Sequence, residues 1–456
     1  MIFQVLITAG LVAPFLFAQS QSNSGDIKGS VVDPSGGAIA TAKVTLSDPD
    51  RGISRTTEST SDGAFVFGLV PPGRYRLRVE ASGFTPKVLE GVEVRVGDTV
   101  SLVVQMVVSA VTTEIQVQAQ AEVVEVERIQ QANTIEQERI RNLPINRRNY
   151  LDFALLAPGV VETTSLVDDT SFRPIQTPNS GLSFGGSNGR GNGFYIDGVE
   201  NYNGSGGVRP SVTQEMAQEF QINRNSFSAE FGNAAGGVVN IITKSGTNEL
   251  HGNLFGFLRH RDIQARNYFD PGKSAFTRLQ AGATLGGAIK KDKTFFFFGF
   301  ERLDRQETNF VPILQDRSVF NRLTPGQQQL VDFFNASGNP LLVGLARQAQ
   351  QLLVPGNNPA VVRLFNENSG VFPFAEDLTT VGLRIDHRFN DRHSLFFRSN
   401  YTDNFQQNSA FGALDAYNRG RAIDQSDATV MIADTFVISP SWFMDTRLMF
   451  NYNPLA

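Results

Sequence analysis

Between Gly25 and Ser109 apolar and polar residues alternate in short runs, IKGSVVD, AKVTLSD, RTTEST, AFVFGLV, RYRLRVE, VEVRV and TVSLVVQMVV. Alternation with a period of two puts successive side chains on opposite faces of a strand, so each run predicts a short β-strand with one buried face. The breaks fall at Asp33-Pro34-Ser35-Gly36-Gly37, Asp62-Gly63 and Pro71-Pro72-Gly73, a spacing that suits a small antiparallel sandwich. Asp62-Gly63 is the strongest hairpin signal among them, because both residue types tolerate the positive φ of a tight turn.

The next stretch, Val111 to Glu127 (VTTEIQVQAQAEVVEVE), alternates without a turn signal and reads as an exposed strand or a linker. In TIEQERIRNLPINRRNYLDFALLAPGV, Thr134 is placed to cap a helix, Gln137 completes a capping-box spacing and Pro144 ends it. Ser180 to Asn203 is glycine-rich and polar. Within it, Gly185 to Gly193 fits either a surface loop or a phosphate cradle, but a cradle needs a helix N-terminus behind it and FYIDG is strand-like.

Beyond Asn248 the pattern predicts strands of about ten residues, the length of a tilted membrane β-strand. In Thr380 to Phe389, Val381, Leu383, Ile385 and Phe389 face one way, and Gly382, Arg384, Asp386 and Arg388 the other. His393 to Thr402 sets Leu395, Phe397 and Tyr401 against Arg398, Asn400 and Thr402. Trp442 to Tyr452 sets Trp442, Met444, Leu448, Phe450 and Tyr452 against Asp445, Arg447 and Asn451. A soluble sandwich alternates in the same way, so the connections decide. Lys290 to Lys293, Asn390 to Arg392 and Ser439 to Ser441 are tight turns, whereas Arg305 to Leu378 and Asp403 to Asp427 are long and polar. Alternating short and long connections are the signature of an outer-membrane barrel. The first long connection holds a helix-like piece, TPGQQQLVDFFNASG, with a Thr-x-x-x-Gln opening and a glycine at its end.

Composition narrows the class. A chain of 456 residues exceeds what one core sustains, so several folding units are expected. The net charge of -5, without a long run of one sign, argues against a nucleic-acid partner. With no cysteine there are no disulfides, thiolate metal sites or cysteine nucleophiles, while 37 phenylalanines and 42 glycines suit β structure with tight turns. Residues 1–19 are apolar from Val5 to Ala18, too short to span a bilayer as a helix, and predict a secretory signal with Leu16 and Ala18 at the cleavage positions.

SVVDPSGGAIATAKVTL followed by TSDGAFVFGLVPPGRYRLRVEASGF resembles the carboxypeptidase regulatory-like domain, which implies an Ig/transthyretin-like β-sandwich. No zinc carboxypeptidase is implied. None of His251, His260, His387 and His393 has the glutamate three residues on that such a metal site requires. GRGNGFYIDGVENYN and EFQINRNSFSAEFGNAAGGVVNIITKSGTN resemble the plug domain of TonB-dependent receptors. The matching residues are Asp197, Gly198, Glu230, Phe231, Gly232, Gly236, Gly237, Thr243, Lys244 and Gly246, and Gly236-Gly237 is expected where plug backbone lies close to the barrel wall. KDKTFFFFGFERLDRQ is similar to an early barrel strand of the Oar-like branch of that family.

The resulting expectation is a mostly β chain. It comprises a signal peptide (1–19), a sandwich (25–109), a linker (110–127), an α+β plug (128–246) and the first strands of an incomplete antiparallel transmembrane β-barrel (247–456). The resemblance implies the outer membrane, with plug and sandwich facing the periplasm, and as partners lipid, TonB of the inner-membrane energising complex and a small-molecule, peptide or carbohydrate ligand. No cofactor, metal or catalytic residue is expected. Thr113, Glu114, Ile115, Gln116, Val117, Gln118 and Ala119 are nominated for TonB contact by β-augmentation, although they equally fit a last sandwich strand or a plain linker. About seven barrel strands follow Asn248, whereas a barrel around a plug needs about twenty-two, so a fragment or truncated product unable to transport alone is expected. The competing function is an exported, non-enzymatic carbohydrate- or peptide-binding adhesion protein.

Overall fold

The computed structural model describes residues 23–109, 115–118, 131–143, 148, 150–162, 182–187, 191–202, 208–209, 212–266, 272–311, 321–409, 417–439 and 442–454. The predicted signal, Pro144, and Thr113, Glu114 and Ala119 lie outside them.

The sandwich strands are β1 (Gly25–Val32), β2 (Lys43–Asp48), β3 (Ile53–Glu58), β4 (Ala64–Val70), β5 (Gly73–Glu80), β6 (Phe84–Thr85), β7 (Lys87–Val94), β8 (Thr99–Gln105), β9 (Val107–Val108) and β10 (Ile115–Gln118). One sheet has the order β4-β1-β8 and the other β10-β7-β5-β2-β3. Their alternate residues meet in a core that includes Ile27, Val31, Val44, Leu46, Phe67 and Leu77, as two half-apolar sheets require. The Asp62-Gly63 turn is not a hairpin. β3 pairs with β2 and β4 with β1, so the turn carries the chain from one sheet to the other. Gly63 supplies its φ of 74°, and sending β4 to the other sheet lets Phe65, Phe67 and Val70 face the core between the two sheets, against which Ile53 of β3 also packs.

The plug is built from β11 (Gln131–Glu136), helix α1 (Gln137–Asn142), β12 (Val160–Glu162), β13 (Leu182–Phe184), β14 (Gly193–Ile196), β15 (Val199–Glu200), β16 (Ala217–Asn225) and β17 (Val238–Thr243). The mixed sheet β11-β16-β17-β14-β15 has β17 near its centre, buried at every position. Thr134 does not cap a helix. It lies within β11, which pairs antiparallel with β16, and α1 begins after Glu136 with no side-chain cap. Backbone bonding to β16 satisfies this segment more fully than a helix extended N-terminally would.

Seven strands follow in an antiparallel meander: β18 (His251–His260), β19 (Phe276–Lys290), β20 (Thr294–Val311), β21 (Gly370–Asn390), β22 (His393–Ser409), β23 (Arg421–Ser439) and β24 (Trp442–Tyr452). Leu254, Leu258, Ile289, Trp442, Leu448 and Phe450 project from the outer face and are exposed, as a lipid-facing surface requires. β18 and β24 keep the expected length, but β19 to β23 run to 15–21 residues. The pairing of β20 with β21 continues from Thr294↔His387 to Val311↔Gly370, so the connection predicted from Arg305 is shorter and Arg305 is inside a strand. Ladder hydrogen bonds join backbones, so pairing continues where the outward residues cease to be apolar.

The long connection carries α2 (Pro325–Ala336), α3 (Pro340–Leu353) and α4 (Pro359–Asn368). α2 opens with a capping box closed by Thr324 and Gln327, one residue earlier than the predicted spacing, and Gly338 follows its end with a φ of 65°. No described helix is long and apolar enough to cross a membrane.

Candidate functional site: the plug against the barrel wall

Asp197 and Gly198 form the turn between β14 and β15, with φ of 51° and 74°, the pair of positive values that an Asp-Gly turn permits. The turn buries Asp197, whose carboxylate accepts from the Thr243 backbone N–H at 2.9 Å and the Thr243 hydroxyl at 2.8 Å. Two barrel arginines complete the cluster. Arg384 Nη1 lies 3.4 Å from Asp197 Oδ1, and Arg398 Nη1 lies 3.1 Å from Oδ2. Arg384 also pairs with Asp386 at 2.8 Å, donates to the Thr243 carbonyl at 3.0 Å, and stacks 4.2 Å above the Phe396 ring. Two carboxylates face two guanidiniums, so this buried seat is charge-balanced, the condition under which buried ions persist.

Three further contacts hold the plug to the wall. Arg209 Nη1 meets Asp427 at 3.4 Å and donates to Thr429 at 3.0 Å. Arg148 pairs with Glu215 at 3.0 Å and lies over the rings of Phe255 and Phe257 on β18, at 4.9 and 4.4 Å. Arg447 Nη1 donates to the Gly198 carbonyl at 3.2 Å. The plug thus touches β18, β21, β22, β23 and β24 through charged or polar groups.

Most of the named motif residues serve the plug's own folding. Phe231 packs edge-on to Tyr195, Gly232 O accepts from the Tyr195 hydroxyl, and the Glu230 N–H donates to Ser228 at 3.3 Å. Gly236 and Gly237 are not at the wall. A Cβ on Gly236 would strike Asn192 and one on Gly237 would strike Phe184, both inside the plug, because the chain must pass under β13 before entering β17. The close approach to the wall falls at Gly246, where a Cβ would meet the carbonyls of Phe296 and Gly287. Lys244 Nζ donates to the Glu215 carbonyl at 2.7 Å, and burial pushes its amine down to about 8.

The sandwich is tied to both plug and barrel rim. Glu219 of β16 accepts from the Val96 N–H at 2.8 Å, and Gln221 donates to the Val96 carbonyl at 3.1 Å. The Asn248 N–H donates to the Asp50 carbonyl at 2.7 Å, and its side chain donates to Asp292 at 2.7 Å. Burial raises the Glu219 carboxyl from 4.5 to about 8. The Val96 N–H and Arg95 oppose this rise, and Asp98 and Glu93 add to it. An acid with a raised folded-state pKa keeps its full contribution below the unfolded value and loses it as pH rises toward the folded one. The docked sandwich is therefore expected to weaken between about pH 4.5 and about pH 8, read by amide exchange at Val96. Glu219→Gln should flatten that dependence, and a profile unchanged by this substitution would assign it to another group.

Ile115–Gln118 forms β10, paired parallel with Lys87–Glu90 of β7 at the end of the five-stranded sheet. The nominated segment is thus, over these residues, also the last sandwich strand. Arg148, Arg209, Arg384, Arg398 and Met216 were not singled out. The sequence pattern puts Arg384 and Arg398 on the polar face, and an arginine on the inner side of a membrane strand calls for a carboxylate partner, but only the fold shows that this partner is Asp197.

A sheet with a lipid-facing exterior, a polar interior and a globular domain seated in it defines an outer-membrane barrel protein with an internal plug. The description "Outer membrane beta barrel domain" matches residues 242–456, and "Carboxypeptidase regulatory-like domain" matches residues 26–107. The TonB-dependent transporter Oar of Myxococcus xanthus is 30% identical over 315 residues, covering 65% of this chain and 28% of that protein. Over these segments the chain is similar to the TonB-dependent outer-membrane receptors of the Oar-like branch. It spans about a quarter of the length of that relative. Among solved structures, the outer membrane transporter YddB from Escherichia coli is 14% identical with a TM-score of 0.45, over 70% of this chain and 38% of that one. The siderophore receptor PirA from Acinetobacter baumannii is 15% identical with a TM-score of 0.45, over 71% and 39%. The outer-membrane barrel match and the regulatory-like domain match agree with a place in the outer membrane, with sandwich and plug toward the periplasm.

Proposed function

We propose that this chain forms the gated, periplasm-facing part of an importer that TonB energises, acting on a siderophore, an oligosaccharide or a peptide. The observation that carries the reading is the seating of the plug on Asp197, Arg384 and Arg398, a buried contact between a globular domain and the inner face of membrane strands. A wide barrel leaks unless it is filled, and moving the filling takes work. TonB supplies that work by adding a strand to the open edge of β10 within Thr113 to Ala119, where main-chain hydrogen bonds bear the load. Tension then passes to β11, an edge strand of the plug sheet, and peels it from β16.

The test uses the full-length receptor in cells. Successive N–H groups of a strand point to opposite edges, so Ile115→Pro and Gln116→Pro remove donors from different sides of β10. One of the two is expected to abolish both TonB cross-linking and energy-dependent uptake, with the receptor still in the outer membrane. If both variants cross-link and import normally, TonB binds elsewhere.

A further inference from the structure

We propose that Met216 is the detent that sets the resting height of the plug, and that its departure uncovers the Asn400 amide as a hydrogen-bonding site in the lumen. Met216 ends a one-turn helix in the plug and is fully buried. It enters a socket made by Gly299 of β20 and Gly382 of β21, which face each other as partners across the ladder. A Cβ on Gly299 would lie 2.6 Å from Met216 Cγ, and one on Gly382 would strike its Cε and Sδ. Glycine inside a strand weakens it, and it marks a place where something else approaches closely. Two such glycines in register, filled by one unbranched and adaptable side chain, form a seat with a defined height.

Asn400 gives the seat a second role. It pairs with Gly382 from β22, is 2% exposed, and neither atom of its amide has a hydrogen-bond partner among the described residues. A Cβ on Gly382 would lie 2.9 Å from Asn400 Oδ1, so the amide and the methionine flank the same point. A buried amide without partners is disfavoured relative to one in water. Its side chain offers one acceptor and two donors, suited to water or to an uncharged amide or hydroxyl group of a passing solute. Arg384 and Arg398 lie two positions along from Gly382 and Asn400, one inward-facing step away, so the socket and the ion cluster are neighbouring halves of one seat.

The test rests on the receptor reading only where TonB moves the plug. Asn400→Cys is placed in the full-length receptor without other cysteines and labelled in isolated outer membranes with a small maleimide, with heat-modifiable gel migration reporting barrel folding. Labelling is expected to be slow at rest, at least about tenfold faster when Met216→Ala or Gly382→Ala is added, and still slow with Met216→Leu. Equal labelling with and without these substitutions overturns the detent. A further arm labels the Asn400→Cys receptor in energised cells with and without TonB. Faster labelling with TonB supports the uncovering step. If the TonB arm shows no change while the substitutions accelerate labelling, the detent stands and TonB-driven uncovering of Asn400 is overturned.

Discussion

Asp197→Ala in the full-length receptor is expected to loosen the plug by about 3–5 kcal/mol, the usual cost of removing one member of a buried ion cluster. The loss exceeds that of one contact, because Arg398 is buried and, among the described residues, has Asp197 as its only carboxylate at salt-bridge distance. The Thr243 N–H and hydroxyl also lose their acceptor, at the point where β17 leaves the plug for the barrel. Arg384 is less affected, since Asp386 holds it at 2.8 Å. Hydrogen exchange of β14 and β17 amides is the measurement, with Arg398→Leu as the second corner of a double-mutant cycle. Removing the arginine alone leaves Asp197 with its Thr243 donors and Arg384, so the smaller loss is expected there. Near-additive effects in the cycle would show that the two charges do not act as a pair.

Gly246→Ala is expected to have the second-largest effect, a loss of about 1–3 kcal/mol or more. The added carbon would meet the Gly287 carbonyl at 2.5 Å, the Gly287 nitrogen at 2.9 Å and the Phe296 carbonyl. All three are backbone atoms of paired barrel strands, and a ladder cannot yield as a side chain can. Only the plug exit can move, which would shift Lys244 and Ser245 from their partners. Gly344→Ala is the control, since nothing lies within 4 Å of its Cβ position in α3. That substitution should be neutral or slightly stabilising, because alanine favours helix over glycine. A melting temperature for Gly246→Ala equal to that of the control would place the plug exit farther from the wall.

The barrel strands were legible because lipid imposes its requirement on each outward residue separately. Leu448 and Phe450 must be apolar whatever their neighbours are, and β24 from Trp442 to Tyr452 is where alternation indicated. The turns at Lys290 to Lys293 and Asn390 to Arg392 were legible for a similar local reason, since a short connection between long antiparallel strands leaves one arrangement. Thr134 misled because a capping-box spacing is equally compatible with an edge strand once β16 lies beside it. Asp62-Gly63 misled because turn chemistry reports that the chain reverses and says nothing about which sheet receives it.

What the sequence by itself determined was the strand content of the sandwich and the barrel, the faces of the three barrel strands with clear alternation, and the family resemblance, all carried by local pattern and motif. What only the tertiary structure decided was the seat: Asp197 against Arg384 and Arg398, Met216 in the socket of Gly299 and Gly382, and Gly246 at the wall in place of Gly236 and Gly237. Asp197 and Arg398 are about two hundred positions apart, and each alone reads as a polar residue in a turn or on an inner face. Their roles arise when the plug is placed in the barrel, because a buried charge is tolerable only beside its partner and a glycine is required only where another group occupies the space of its missing Cβ.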